Sequence, residues 1–385
     1  MDLQKQILNA VNLALFDCAV LSCKVRNPQE AIYALSKKQN ITALVAEGLR
    51  RSGDYEKLIP EFDRLSEKYL FQYAQQSVES ERVIRCLEER NYPYILLKGA
   101  KMRHFYPQPH LRTSCDIDIL TRQPDETVFE MMNALGYKFT VDGGTTLNFE
   151  KPPTVEFEMH RCLFLDQNDF SGYFNDIWER SVPAGEGRAE RLLTEEDFYV
   201  YMIAHIAKHI DKYGCGIRPF IDVYLYHQKR PAAFDRSKAD AILQKINLLA
   251  FERRICALTQ AWFETGNLTE ADKKLTDFLF GAGLYGNAQL SAAHNVRKKE
   301  SRRKGRMAMY MRHIFPPLWI MRPMYPRLLK WSVFLPLAWV LRWFRILFFG
   351  RKKATAAIRR ISRTDDQYVE YVDSVIREFG LKEDG

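Results

Sequence analysis

The chain has 385 residues, 46% apolar, 27% charged and 13% aromatic, which excludes a disordered, collagen-like or repeat-built protein and leaves room for two or three domains. Its net charge of +9 is unevenly placed: residues 297–363 hold 19 Lys/Arg and one acid, Glu300, a local +18 that leaves −9 for the rest. The seven cysteines (18, 23, 86, 115, 162, 215 and 256) are scattered without a C-x-x-C pair, which argues against a disulfide framework or zinc ribbon and for a reducing, cytoplasmic setting.

Residues 1–16 mix Asp2, Lys5 and amides into a periodic pattern, unlike the long apolar run of a secretory signal. Apolar residues recur at helix spacing through residues 1–90, first at Ile7, Leu8, Val11 and Leu15, then over Leu58–Leu87. Two to four packed helices are expected there, with no chemistry of their own. The texture changes at Asn91-Tyr92-Pro93. Tyr94–Leu97 reads as a buried strand entering a tight turn at Lys98-Gly99-Ala100, and Asp116–Thr121 as a second strand. Pro124–Leu135 is a helix closed by Gly136; Tyr137–Val141 and Thr145–Glu150 flank the hairpin signal Asp142-Gly143-Gly144. Thr154–Leu165 alternates as a further strand.

Helices resume at Thr194, which with Asp197 resembles a capping box, and run to about residue 295. Arg297–Arg306 reads as an exposed basic linker, and an amphipathic helix is expected around Tyr368–Phe379. The chain therefore divides into an N-terminal helical region (1–90), a mixed-sheet core (91–190), a helical domain (191–296) and a basic aromatic C-terminal region (297–385). The fold class is α+β.

Asp116-Ile117-Asp118 is the most informative pattern. Alternation along a strand puts both aspartates on one face and Ile117 and Ile119 in the core. Two carboxylates about 7 Å apart repel unless a cation sits between them, and hard oxygen ligands favour Mg²⁺. On Thr154–Leu165, Val155, Phe157 and Met159 make the apolar face, so Glu156, Glu158 and His160 share the other. If the two strands are neighbours, Glu158 or Glu156 completes a three-carboxylate cluster able to hold two metal ions for displacement at phosphorus. Lys98, Gly99 and Ala100 form a turn suited to a polyphosphate, and Arg112 can make bidentate phosphate contacts.

His205 and His209 fall on one helical stripe with Phe198 and Met202. A zinc protease would need Glu at position 206, which is Ile, so the pair is either core-facing or lines a substrate cleft. Arg218 and Asp222, also four apart, are candidates for an intrahelical ion pair or a place beside substrate.

Leu97-Lys98-Gly99-Ala100, Tyr106-Pro107, Arg112, Asp116-Ile117-Asp118-Ile119-Leu120, Gly136-Tyr137 and Glu158-Met159-His160 together resemble the uncharacterised nucleotidyltransferase family of the DNA polymerase β-like superfamily. The resemblance continues through His205, Lys208, His209, Arg218 and Asp222, more faintly through Phe315-Pro316 and Met321-Arg322, and covers roughly residues 10–345. It implies a polymerase β-like sheet and Mg²⁺-dependent transfer of a nucleoside monophosphate from an NTP to a hydroxyl acceptor. Asp116, Asp118 and Glu158 would be the catalytic and metal-binding residues. Lys98, Gly99, Ala100 and Arg112 would bind nucleotide, and His160, His205, Lys208, His209, Arg218 and Asp222 would form the acceptor pocket. Where the wider superfamily has Gly-Ser or Gly-Gly, this chain has Gly99-Ala100, without the hydroxyl. A second reading keeps the fold without catalysis, as a binding module at a membrane surface.

Four of the six tryptophans (319, 331, 339 and 343) lie in the basic region. Trp331–Phe349 is long enough to span a bilayer, but Arg342 and Arg345 make spanning costly. Two expectations stand: peripheral attachment of 297–363 to an anionic membrane surface on its cytoplasmic side, or a helix pair packed on the acidic body. The aromatics could also stack bases, but no recognised RNA-binding motif accompanies them, so no specific nucleic acid is expected.

Overall fold

A computed structural model describes residues 2–20, 26–153, 155–165 and 170–283, then 366–381 and shorter pieces between, among them 318–321 and 331–345. Four helices open the chain: α1 (Asp2–Phe16), α2 (Gln29–Lys38), α3 (Thr42–Ser52) and the 30-residue α4 (Pro60–Glu89), which has Pro60 in its first turn where a missing N–H costs nothing. Gly48 on α3 is held by packing: a Cβ there would lie 1.7 Å from the Ala10 carbonyl oxygen of α1.

The sheet strands are β1 (Tyr94–Leu96), β2 (Asp116–Thr121), β3 (Lys138–Asp142), β4 (Thr146–Lys151) and β5 (Val155–His160). Between them lie the short helix α5 (Lys98–Met102) and α6 (Asp125–Ala134). Their order is β1-β2-β5-β4-β3; β2 and β5 run parallel and the other pairs antiparallel. The core is a five-stranded mixed sheet with helices, α+β as the patterning implies. One sheet face carries Ile117, Ile119, Phe149, Phe157 and Met159 against Val83 and Leu87 of α4 and Val128, Met131 and Met132 of α6. Each such side chain contributes roughly 1.5–3 kcal/mol on burial, and that sum fixes which face points inward. The opposite face carries the acids.

After α7 (Ile177–Arg180) and a two-residue pairing of β6 (Val182–Pro183) with β7 (Arg191–Leu192), the chain is helical: α8 (Glu195–Lys212), α9 (Arg218–Lys229), α10 (Arg236–Lys245), α11 (Leu249–Gln260) and α12 (Glu270–Ala282). Thr194 caps α8 by accepting from Asp197 N, but the Asp197 carboxylate is drawn to Tyr173 and Arg180, so only half of the expected box forms. Both halves are present at Thr269 and Asp272 on α12.

One apolar cluster joins Ile7, Val11, Leu44 and Val45 of the first helices to Val200, Ile203, Ile221, Ile255 and Leu279 of the later ones. Gln39 stitches the same seam, donating to the Leu279 and Phe280 carbonyls and accepting from Ile217 N at 2.9 Å. The C-terminal helix, Asp366–Glu378, adds Val369, Val372 and Ile376. Among the described residues no helix is long and apolar enough to cross a membrane. The expected linker Arg297–Arg306, and most of 297–363, lie outside the described residues.

Candidate active site

The parallel pairing of β2 with β5 sets Asp116 beside Glu156 and Asp118 beside Glu158, with Leu120 beside His160. Two acids per strand, all on the face away from the apolar core, make one acidic strip. The tightest convergence is Asp118, Glu158 and His160, whose ligand atoms lie within 4.8 Å of one another. His160 Nε2 is 2.9 Å from Asp118 Oδ1 and 3.7 Å from Glu158 Oε2. Asp116 stands one pleat away, accepting from Ser114 Oγ at 3.1 Å. Asn148 of β4 donates to Glu158 Oε1 at 2.9 Å and more weakly to Glu156 at 3.4 Å.

The charges strain against one another. Burial, and then the Asp118 charge, push the Asp116 carboxyl up. Burial, Asp118 and Asp116 push Glu158 up in the same way. Burial alone would raise Asp118 too, but the His160 hydrogen bond, with the His160 and Lys98 charges, holds it below the usual carboxylate range. Lys98, half-buried at the start of α5, is pushed down by burial to about 8 while Asp118 pulls it the other way.

Gly99 lies beside this cluster: a Cβ on it would sit 3.8 Å from Asp118 Oδ2 and 3.8 Å from Arg112 Nη1. Ala100 follows within α5, and Lys101 anchors that helix through a 2.7 Å ion pair with Glu195 of α8. From the other side α4 holds the approach to β2, with Gln72 and Gln76 each donating to the Ser114 carbonyl at 3.1 Å.

Arg112, expected at a phosphate, is engaged with Asp222 and the Gly99 turn. Its Nε and Nη2 donate to Asp222 at 3.0 and 2.8 Å, and Nη1 to the Gly99 carbonyl at 3.4 Å. Tyr106 donates to the same carboxylate at 2.9 Å. Asp222 is thus filled by partners from the segment between β1 and β2, and the intrahelical Arg218–Asp222 pair does not form. Arg218 instead donates to the Thr113 carbonyl at 2.6 Å.

His205 and His209 are paired through their Nε2 atoms at 2.7 Å. Burial, with Lys98 nearby, drives His205 well below its ordinary value and His209 down to about 3, so both rings are neutral. Lys208 on the same helix is lowered by burial and by Lys212, and feels the charges of Glu158 and Asp118. Tyr201, one turn before His205, is buried within the field of Asp118, Glu158 and Asp116. The α8 face bearing Tyr201, His205, Lys208 and His209 therefore fronts the acidic strip.

Two polar groups at the site escape sequence reading. Ser114 gave a usable signal, being two residues before Asp116 and so on its side of the strand approach. Asn148 gave none, because its place beside Glu158 depends on hairpin register. His160, expected at the acceptor, bonds to Asp118 through Nε2.

No curated protein matches the chain. A solved structure, the solution structure of the antibiotic-resistance factor ANT(2'')-Ia with substrate-regulated conformation dynamics, aligns at 16% identity and a TM-score of 0.33, covering 49% of this chain and 96% of that one. A family described as uncharacterised nucleotidyltransferase matches residues 26–264, a span that holds α2 to α11, the whole sheet and every acid of the strip. The chain belongs to that family and is a nucleotidyltransferase.

Proposed function

We propose that the protein transfers a nucleoside monophosphate from an NTP to a hydroxyl acceptor, on a polymerase β-like core, with Mg²⁺ held by Asp116, Asp118 and Glu158. The observation that carries this reading is the in-register pairing of Asp118 with Glu158 on adjacent parallel strands, one pleat from Asp116. The donor set suits one or two Mg²⁺: three carboxylates crowd one another, and two are pushed up by burial and then by their neighbours' charge. Unpartnered polar atoms beside them, His160 Nδ1 and Asn148 Oδ1, add donor capacity. When bound, the ion supplies charge neutralisation on the phosphates and a lowered pKa for the acceptor hydroxyl.

The chain's own residues supply the rest. In its protonated form Lys98 faces the triphosphate beside the Gly99 turn, where the backbone leaves room for a phosphate oxygen. Arg112 positions that turn through the Gly99 carbonyl, with Asp222 and Tyr106 fixing the guanidinium. His160 holds Asp118 ionised and oriented through its Nε2. The acceptor oxygen bonds to the α-phosphorus, the α–β bridging P–O bond breaks, and pyrophosphate leaves with the bonding pair. Glu158, the more basic of the two close carboxylates, takes the hydroxyl proton. The acceptor enters along the α8 face, where neutral His205 and His209 and the side chain of Lys208 offer hydrogen-bonding groups.

The test is incubation with α-labelled NTPs, Mg²⁺ and host extract. Label should pass to an acceptor with the wild-type protein and not with Asp116→Ala/Asp118→Ala. Nucleotide binding without transfer, in every extract tried, would replace this reading with that of a binding module.

A further inference from the structure

The helix Leu335–Arg345 has two apolar faces, and among the described residues only one is covered. Leu335, Ala338 and Trp339 pack against Leu318, Met321 and Tyr325, with Ala338 and Met321 fully buried. Trp339 Nε1 donates to the Pro316 carbonyl at 2.7 Å and Trp343 Nε1 to that of Ile314 at 2.8 Å, while Phe315 meets both indoles edge-on. That face is pinned.

On the opposite side Leu337, Val340, Leu341 and Phe344 recur at i, i+3, i+4 and i+7, a single helical stripe, and all four are exposed. Trp331, Val333 and Phe334 extend the stripe through the preceding turn, with Val333 76% and Trp331 68% exposed. Seven large apolar side chains in fourteen residues are far more than the scattered singles normal on a soluble surface, and such a patch marks a binding face. The sequence names the occupant. Residues 297–363, which contain this helix, carry 19 Lys/Arg against one acid. An apolar stripe with tryptophan at its edge, set in strongly cationic sequence, is complementary to an anionic lipid surface: hydrocarbon for the stripe, headgroup charge for the lysines and arginines.

We infer that the exposed stripe Trp331–Phe344 docks the protein onto an anionic membrane surface, lying in the interface and not crossing it. This inference is independent of the transfer chemistry.

Co-sedimentation of the full chain with phosphatidylcholine vesicles containing about a third phosphatidylglycerol tests it. Binding should be strong on these vesicles, weak on phosphatidylcholine alone, and reduced by salt. Leu337→Glu/Leu341→Glu should weaken it at least about tenfold. Because both side chains are exposed, the thermal melt of that variant should match the wild type. Four results would overturn the inference. One is no pelleting at low salt, and a second is pelleting unaffected by the double substitution. A third is a melt lowered by the substitution, which would show the stripe covered by this chain. The last is a wild-type dimer that the substitution dissociates, which would make a second copy the occupant.

Discussion

Arg112 and Asp222 form a bidentate ion pair, at 3.0 and 2.8 Å, with both side chains almost wholly out of solvent. They come from the loop before β2 and from α9, so the pair fastens the sheet to the helical body beside the Gly99 turn. Removing one partner strands a buried charge. Asp222→Ala should cost about 3–5 kcal/mol in urea unfolding, and Arg218→Ala, which loses one bond to a carbonyl, about 1 kcal/mol. Equal losses would show that the Arg112 guanidinium finds other partners.

In EDTA the two aspartates should act in opposite directions. Asp116 has a raised pKa, through burial and then Asp118, so its ionised form subtracts stability at neutral pH and the penalty fades as pH falls through the folded value. Asp118 has a lowered pKa because the His160 bond outweighs burial. It adds stability above the unfolded carboxylate range, lost as pH falls through the folded value. Thermal melts at pH 7 should therefore place Asp116→Asn at or above the wild type and Asp118→Asn below it. The reverse order would mean that His160 does not hold Asp118.

Lys98 titrates at about 8, so its charge fades across the mildly alkaline range. Equilibrium binding of Mg²⁺-NTP should be tightest below that value and weaken above it. Lys98→Gln should bind less tightly at pH 7 and show no such step between about pH 7 and 9. A wild-type profile flat over the same range would remove Lys98 from the triphosphate.

The neutral His205–His209 pair makes the fold sensitive to acid. Both rings sit below the ordinary histidine value of about 6.5, so the unfolded chain takes up protons that the folded chain refuses. Stability from this pair is fully present above about pH 6.5 and is lost as pH falls below it. The urea midpoint should drop between about pH 7 and 5, and His205→Gln/His209→Gln should drop less. Imidazole proton resonances that titrate near pH 6.5 would contradict the buried pairing.

Period-two alternation in Val155–His160 and Asp116–Thr121 made both strands and their acidic faces legible, because burial of Phe157, Met159, Ile117 and Ile119 leaves the acids one side only. Their adjacency is set by the β2–β5 register, which no local pattern in either strand encodes. Side-chain partnerships across long separations were not legible. Arg112 meets Asp222 across 110 positions, and nothing local to either distinguishes a phosphate-binding arginine from a buried one. The halved cap at Thr194 has the same origin: Tyr173 and Arg180 outcompete the backbone N–H for Asp197.

In β5 the odd-numbered residues are apolar and the even-numbered ones are acids or imidazole, and over Asp116–Ile119 the neighbouring strand repeats the arrangement in step. Sliding β5 by a single position would present Phe157 and Met159 on the acidic face and bury Glu158 among aromatics. Greasy contacts on the far side of the sheet thus act as the gauge that sets where the working oxygens stand. Trimming Phe157 to a smaller side chain, with no polar atom changed, would blur the placement of Glu158 as well as loosen the core.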